Sequence, residues 1–181
     1  YFEYYVDGSV SSEGMVIDNN MKIGKWTNYF NDGAKKSSGS YKNNKESGEW
    51  VFWYKSGKVE KRGTYLNGFM EGEWKGWYYT GKQFFLRTYK SGKKDGLWIW
   101  WYNDGKKKYE GNYLNDKKDG KWLEWDNEGM QVANGIYHND VKWSGVFADG
   151  RYFKGRMASQ QEEYYENGTM KSQGLRIGDI K

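Results

Sequence analysis

Cysteine and proline are both missing from this 181-residue sequence, and histidine occurs once, at position 138. Without Cys there is no disulfide, no thiol nucleophile and no Cys-ligated metal. With a single His, a His-dependent catalytic triad has no spare parts and a zinc site lacks ligands. Aliphatic material is scarce as well: Leu, Ile, Val and Phe together are 28 of 181 residues, a share that suggests disorder when net charge is high. Aromatic content argues the other way. Eleven Trp and 17 Tyr, with aromatics at 20% of the chain, are the opposite of a disordered composition, so large rings must replace aliphatic side chains as buried material. Twenty-five Gly interrupt the chain too often for long helices, which leaves strands and turns. No apolar run approaches the roughly 20 residues needed to span a bilayer. Net charge is +5, and five of the 29 basic residues are Arg, a mild basicity that argues against nucleic acid as the partner.

What is abundant is also periodic. Gly24, Gly48, Gly72, Gly96 and Gly120 are spaced at 24 residues, each followed two residues later by Trp26, Trp50, Trp74, Trp98 and Trp122. Nine residues after each of those Gly comes another, at Gly33, Gly57, Gly81, Gly105 and Gly129. Between these marks run Tyr29, Trp53, Trp77, Trp101 and Trp125, then Phe30, Tyr54, Tyr78, Tyr102 and Asp126. Later in each unit come Gly39, Gly63, Arg87, Gly111 and Gly135, and then Tyr41, Tyr65, Tyr89, Tyr113 and Tyr137. Arg87 and Asp126 break their columns. Worn copies flank the array, at Tyr4, Tyr5, Gly8 and Gly14 and again at Tyr164, Tyr165, Gly168 and Gly174, as expected where an outermost unit has a neighbour on one side only.

This pattern predicts an all-β protein: an elongated, twisted array of tandem antiparallel hairpins in one repeat domain, with a degenerate copy over 1–23, five regular units over 24–143 and shortened copies over 144–181. The strings NDG, KSG, YTG, NDG and NEG read as type I turns closed by a left-handed Gly. A second turn, for example at Lys117 to Asp119, leads into the next unit. Side-chain alternation puts Trp50, Phe52 and Tyr54 on one face, and the Gly63 column leaves room for a Trp ring of a partner strand beside a cross-strand Tyr ladder. About eight hairpins make some sixteen strands and an array on the order of 75 Å long.

The string G-x-W-x-x-Y/W-Y-x-x-G, with Gly and Tyr on the return strand, resembles the bacterial variant of the MORN repeat, strictly from Gly24 to Gly135 and loosely outside it. Choline- and glucan-binding repeats also use Trp, paired Tyr and Gly, but there Gly lies further downstream than the two residues separating Tyr102 from Gly105. The MORN-like resemblance implies noncatalytic binding. Such arrays are commonly classed as YwqK-family antitoxins, which implies a protein partner, here a toxin. Others are described as scaffolds, dimerisation modules or membrane-surface proteins, which implies anionic lipid or glycan as the alternative ligand and self-association through a sheet edge. Two compartments follow: the bacterial cytoplasm or, with a leader removed before Tyr1, the envelope or exterior.

No catalytic, cofactor or metal constellation emerges. Ser91 to Lys94 spells S-x-x-K, but in a glycine-rich link rather than on a helix. Asp116, Asp119 and Glu124 suggest a calcium loop that Lys117 spoils. Carboxylate pairs Glu71 with Glu73 and Glu162 with Glu163 read as solvated charge, Asn167-Gly168-Thr169 as the repeat's turn, and His138 as an exposed structural residue. The Trp26 column reads as packing. The partner-binding candidates are therefore Tyr54, Tyr78 and Tyr102 with Asp126, the replacement their column tolerates, together with Arg87 and the basic run Lys106, Lys107 and Lys108.

Overall fold

The computed structural model describes residues 1–153, 155–164 and 170–177, with side chains through most of the first 157. Those residues form sixteen strands: β1 (Phe2–Tyr4), β2 (Val10–Ile17), β3 (Met21–Tyr29), β4 (Lys35–Lys42), β5 (Lys45–Trp53), β6 (Val59–Leu66), β7 (Phe69–Trp77), β8 (Gln83–Lys90), β9 (Lys93–Trp101), β10 (Lys107–Leu114), β11 (Lys117–Trp125), β12 (Gln131–His138), β13 (Val141–Phe147), β14 (Gly150–Phe153), β15 (Arg156–Tyr164) and β16 (Met170–Ile177). They make one open sheet in sequential order, every neighbour antiparallel. The expected hairpin array is what forms. Tyr165, Gly168 and the sequon Asn167 to Thr169 lie outside the described residues.

Two turn chemistries alternate along the sheet. At the first, Gly33, Gly57, Gly81, Gly105 and Gly129 take φ between 82° and 96°. The Tyr54 carbonyl accepts from the Gly57 N–H while the Tyr54 N–H donates to the Lys58 carbonyl, the expected type I turn with a Gly bulge. The second turn is not where the sequence reading put it. Lys117 to Asp119 belongs to β11, and the chain reverses at Asn115–Asp116, where φ is 48° and 70°. Asn43–Asn44, Asn67–Gly68, Ser91–Gly92 and Asn139–Asp140 do the same. Positive φ at both central residues defines a two-residue type I′ turn, for which Asn, Asp and Gly are the favoured residues; Ser91 is the less usual occupant.

The Gly24 column marks neither turn. Gly24, Gly48, Gly72, Gly96 and Gly120 sit inside strands at φ of 63° to 96°. Gly111 pairs with Trp122 but Asn112 with Asp119, so Gly120 and Lys121 bulge out of the pairing with β10 while staying in step with β12. Such a bulge increases the local right-handed twist. Beside it, where the ladder is interrupted, the indole N–H donates to a return-strand carbonyl: Trp50 to Ser40, Trp74 to Thr64, Trp98 to Thr88 and Trp122 to Asn112, at 2.9–3.2 Å.

The core lies along one face. One row runs Trp26, Gly39, Trp50, Gly63, Trp74, Arg87, Trp98, Gly111, Trp122, Gly135, joined by register pairs except at Gly39–Trp50 and Gly63–Trp74, where the ladder shifts and the ring lies on the glycine. Except at Trp98, which follows Arg87, each Trp ring covers the Gly of the strand before it: a Cβ built on Gly39, Gly63 or Gly111 would stand 2.1–2.2 Å from the ring of Trp50, Trp74 or Trp122. Phe147 takes the same position over Gly135. Trp26, Trp50, Trp74, Trp98 and Trp122 are all buried, at no more than 6% exposure. A ring of this size hides roughly 150–250 Å², or about 4–6 kcal/mol apiece from apolar burial. Tyrosine edges complete the ladder, with Tyr41, Tyr65 and Tyr113 meeting Trp50, Trp74 and Trp122 edge-on at 4.9–5.2 Å.

The two classes of glycine should separate on mutation. Gly111→Ala forces a Cβ into the Trp122 ring and is expected to lower unfolding free energy by about 3 kcal/mol. Gly57→Ala meets no atom within 4 Å and bears only the left-handed backbone penalty of about 1–2 kcal/mol. Equal losses in chemical denaturation would show that the ring-on-glycine contact is not what sets the core.

Candidate functional site

Three parallel rows make up the aromatic face. Flanking the Trp row on one side, tyrosines pair with a second 24-residue column: Tyr41 with Glu46, Tyr65 with Met70, Tyr89 with Lys94, Tyr113 with Lys118 and Tyr137 with Lys142. On the other side run Phe52, Lys61, Gly76, Phe85, Trp100, Tyr109, Glu124 and Ala133. Phe85 is itself buried against Gly76.

The column that starts at Lys22 gives the face its charge. Its backbone is fixed by the type I′ turns. The Asp116 N–H donates to the Lys94 carbonyl while the Asp116 carboxylate accepts from the Lys94 N–H, and Asp140 does the same for Lys118. Each lysine then lies along the rings. The Lys94 ammonium is 5.1 Å from Trp98 and 4.9 Å from Tyr113; that of Lys118 is 4.3 Å from Trp122 and 4.8 Å from Tyr137. These are cation–π distances, and the stems shield the indoles from water. Burial pushes the Lys118 ammonium below its ordinary value.

Neutralisation is uneven along this column. Lys22 forms an ion pair with Glu3 at 3.1 Å and Lys142 one with Asp149, and positions 46 and 70 hold Glu and Met. Among the described residues, no carboxylate stands within 4 Å of the Lys94 or Lys118 ammonium. Arg87 adds to this basic half. It replaces the glycine of its row, and its guanidinium lies over Phe85 at 4.0 Å, Trp100 at 5.1 Å and Trp98 at 5.2 Å, with Nε buried and unpartnered. The ring ladder is interrupted at this level, between Trp74 and Tyr89. A groove of about 360 Å³ opens beyond it, lined by Trp100, Tyr109, Tyr113, Lys118, Glu124 and Tyr137 among others. A second, of about 310 Å³, has Arg87, Lys61 and Phe85 in its wall.

The sequence-derived candidates divide. Arg87 lies on this face, and Lys108 reaches it, 5.7 Å from the Tyr109 ring. The tyrosine column has an internal role: Tyr54, Tyr78 and Tyr102 each donate their hydroxyl to the carbonyl of Trp77, Trp101 or Trp125, at 2.7–3.0 Å, so one unit is fastened to the next. Tyr5 does this in the N-terminal copy, to Tyr29. Asp126 stands where no such successor exists, because the next outgoing strand ends at Phe147; its carboxylate instead accepts from the Glu128 and Met130 N–H groups of its own turn. Lys106 clamps the following turn through the Asn127 and Glu128 carbonyls, and Lys107 pairs with Glu110 at 2.6 Å. Lys117 and Lys118, read from sequence as part of a link, are strand residues. What the sequence reading missed is Lys94 with Lys118 as a site. The signal was there in the period: positions 22, 46, 70, 94, 118 and 142 form a column as regular as the Trp one.

Elsewhere, His138 is exposed, its Nδ1 3.1 Å from Asp119 and its ring 5.8 Å from Trp143. Among the described residues no group of three His, Asp or Glu side chains forms a metal cluster.

Half-buried phenols make the face alkali-sensitive. Burial raises Tyr65, Tyr89, Tyr113 and Tyr137 above their ordinary value of 10.0, and burial with Glu46 nearby raises Tyr41 to about 12. The unfolded chain releases these protons near pH 10 and the folded chain holds them longer, so stability is level below pH 10 and falls between pH 10 and about 12. An alkaline titration should show tyrosinate absorbance rising together with loss of far-UV circular dichroism. Independent tyrosine titration near pH 10 with the sheet intact would contradict this.

The family model described as MORN repeat variant matches residues 22–43, 46–67, 94–115 and 160–176. The first three matches fall on the β3–β4, β5–β6 and β9–β10 hairpins and the last on β15–β16. The two regular units left unmatched are those carrying Arg87 and Asp126. No curated protein matches the chain. MORN repeats form a noncatalytic module that mediates protein or membrane-lipid interactions, and the hairpins described above are tandem repeats similar to that variant.

Proposed function

We propose that this chain is a noncatalytic binding array whose aromatic face, in its basic stretch from Arg87 to Lys118, docks an acidic surface of a partner protein. The observation that carries the reading is the pair Lys94 and Lys118: two ammonium groups held over rings with no ion-pair partner of their own among the described residues, in an array that pairs Lys22 and Lys142 at equivalent positions. Preorganised cations on a ring-lined surface suit a carboxylate-bearing partner, since rings and basic groups together dominate interface energetics. Neutralisation of a toxin, which the YwqK-like resemblance implies, is the finer form of this reading. Sequestering an acidic surface of such a partner is the means this face offers. Anionic lipid and glycan are the competing ligands.

The test compares the wild-type chain with a Lys94→Glu/Lys118→Glu variant. Glu46 occupies the same column natively, so the fold accommodates a carboxylate there. A control variant reverses the exposed Lys25 and Lys121. Each is immobilised and presented with source-cell extract, anionic vesicles and a glycan array. An acidic protein retained by wild type and control, and retained at least about tenfold less by the double variant, is the expected result. Binding confined to vesicles or glycans would replace the protein partner with the competing ligand. Equal retention by all three variants would remove the site.

A further inference from the structure

The repeat spacing on the basic stretch selects a shape of ligand as well as a charge. Lys94 and Lys118 stand on β9 and β11, two strands apart. Strands lie about 4.7–4.9 Å apart, so equivalent positions in consecutive units are separated by about 9.5 Å. These two positions present the same set: an ammonium, the rings beneath it, and a phenol directly opposite in the ladder, Tyr89 facing Lys94 and Tyr113 facing Lys118. Among the described residues the Tyr113 and Tyr137 hydroxyls donate no hydrogen bond, in contrast to Tyr54, Tyr78 and Tyr102, whose hydroxyls are all engaged.

Three peptide conformations fit this spacing differently. An extended β-strand advances about 6.7 Å between side chains on the same face, which falls out of step after one unit. An α-helix advances about 5.4 Å per turn, and two turns overshoot. A polyproline II segment repeats every three residues with about 3.1 Å rise each, or about 9.3 Å per turn, matching the array within a few tenths of an ångström. Its backbone carbonyls have no internal partners and suit the free phenol donors. Its flat side-chain faces suit grooves lined by rings.

Resting on the docking role proposed above, we infer that the ligand of this face is an acidic polyproline II segment, carrying a carboxylate at every third residue, that lies across the strands with successive carboxylates on Lys94 and Lys118 and its N- or C-terminal flank at Arg87. Sheet twist rotates successive units, which limits the engaged stretch to these two units and the adjoining arginine. The occupant is a peptide segment of a partner; charge complementarity with the unpaired lysines and the three-residue repeat decide it.

Two synthetic peptides of about fifteen residues test this, both rich in proline and equal in composition and charge. One has Glu at every third position and the other has the same Glu residues at irregular spacing. Binding to the full chain is read by intrinsic Trp fluorescence and by anisotropy of a labelled peptide. The regular peptide is expected to bind at least about tenfold tighter than the irregular one. A Lys94→Met/Lys118→Met variant, which copies the native Met70 of the same column, should lose that preference while keeping the wild-type circular dichroism. Equal affinity for the two peptides, or a preference that survives in the Met variant, overturns the proposal. If neither peptide binds while an acidic protein is still captured through Lys94 and Lys118, the register inference falls and the docking surface stands.

Discussion

A sheet one layer thick has nothing to pack its apolar face against, and a β-protein normally answers this with a second sheet or a helix layer. Here the second layer is made of the first sheet's own rings. A tryptophan lies flat on its neighbouring strand most readily where that strand carries no Cβ, so four of the five regular rings of the row have a glycine beneath them, where a Cβ would stand only 2.1–2.5 Å from the ring, and Trp98 alone faces Arg87 instead. That requirement fixes the pairing of Trp and Gly columns, and through them the 24-residue period. It also explains the chain's poverty in aliphatic residues, since the indoles are the hydrophobic core and tyrosine edges with lysine stems are its cover.

Much of this is legible in the amino-acid sequence because the constraint repeats. Rings and glycines at a fixed period cannot be chance, and the hairpin with its Gly-closed turn follows from residue chemistry alone. Other features were harder to read. The Gly24 column stood out only as a mark of the period; it serves a bulge inside a strand, and sequence cannot distinguish a glycine that turns the chain from one that kinks it. The type I′ turns were obscured by variety, because Asn-Asn, Asn-Gly, Ser-Gly and Asn-Asp answer the same backbone demand with different letters.

The candidate site shows the same limit from the other side. Tyr54, Tyr78 and Tyr102 were attractive because their column tolerates a replacement. The structure supplies another reason for that tolerance: the hydroxyl has work to do only where a following unit offers a carbonyl, and Asp126 sits at the end of that succession. Variation in a repeat column thus has two sources, release from a structural duty and recruitment to a binding one. Arg87 mixes both. It occupies a glycine's place, its guanidinium among rings, at the level where the tyrosine ladder is interrupted.

Sorting these columns by duty sets one of them apart. The Trp and Gly columns make the core, Tyr54, Tyr78 and Tyr102 fasten their units to the next, and the lysines of the Lys58, Lys82 and Lys106 column clamp turn carbonyls one unit on. The column of Lys22, Glu46, Met70, Lys94, Lys118 and Lys142 is different, because its backbone does the structural work through the type I′ turns while its side chains range from acidic through apolar to basic. A fold that holds main chain fast and leaves side-chain identity open can write a ligand preference along its length without disturbing its architecture. In the middle of that column this freedom has placed two ammonium groups over rings with no ion-pair partner among the described residues, whereas Lys22 and Lys142 at its ends are paired with Glu3 and Asp149, and the difference between middle and ends is what points outward.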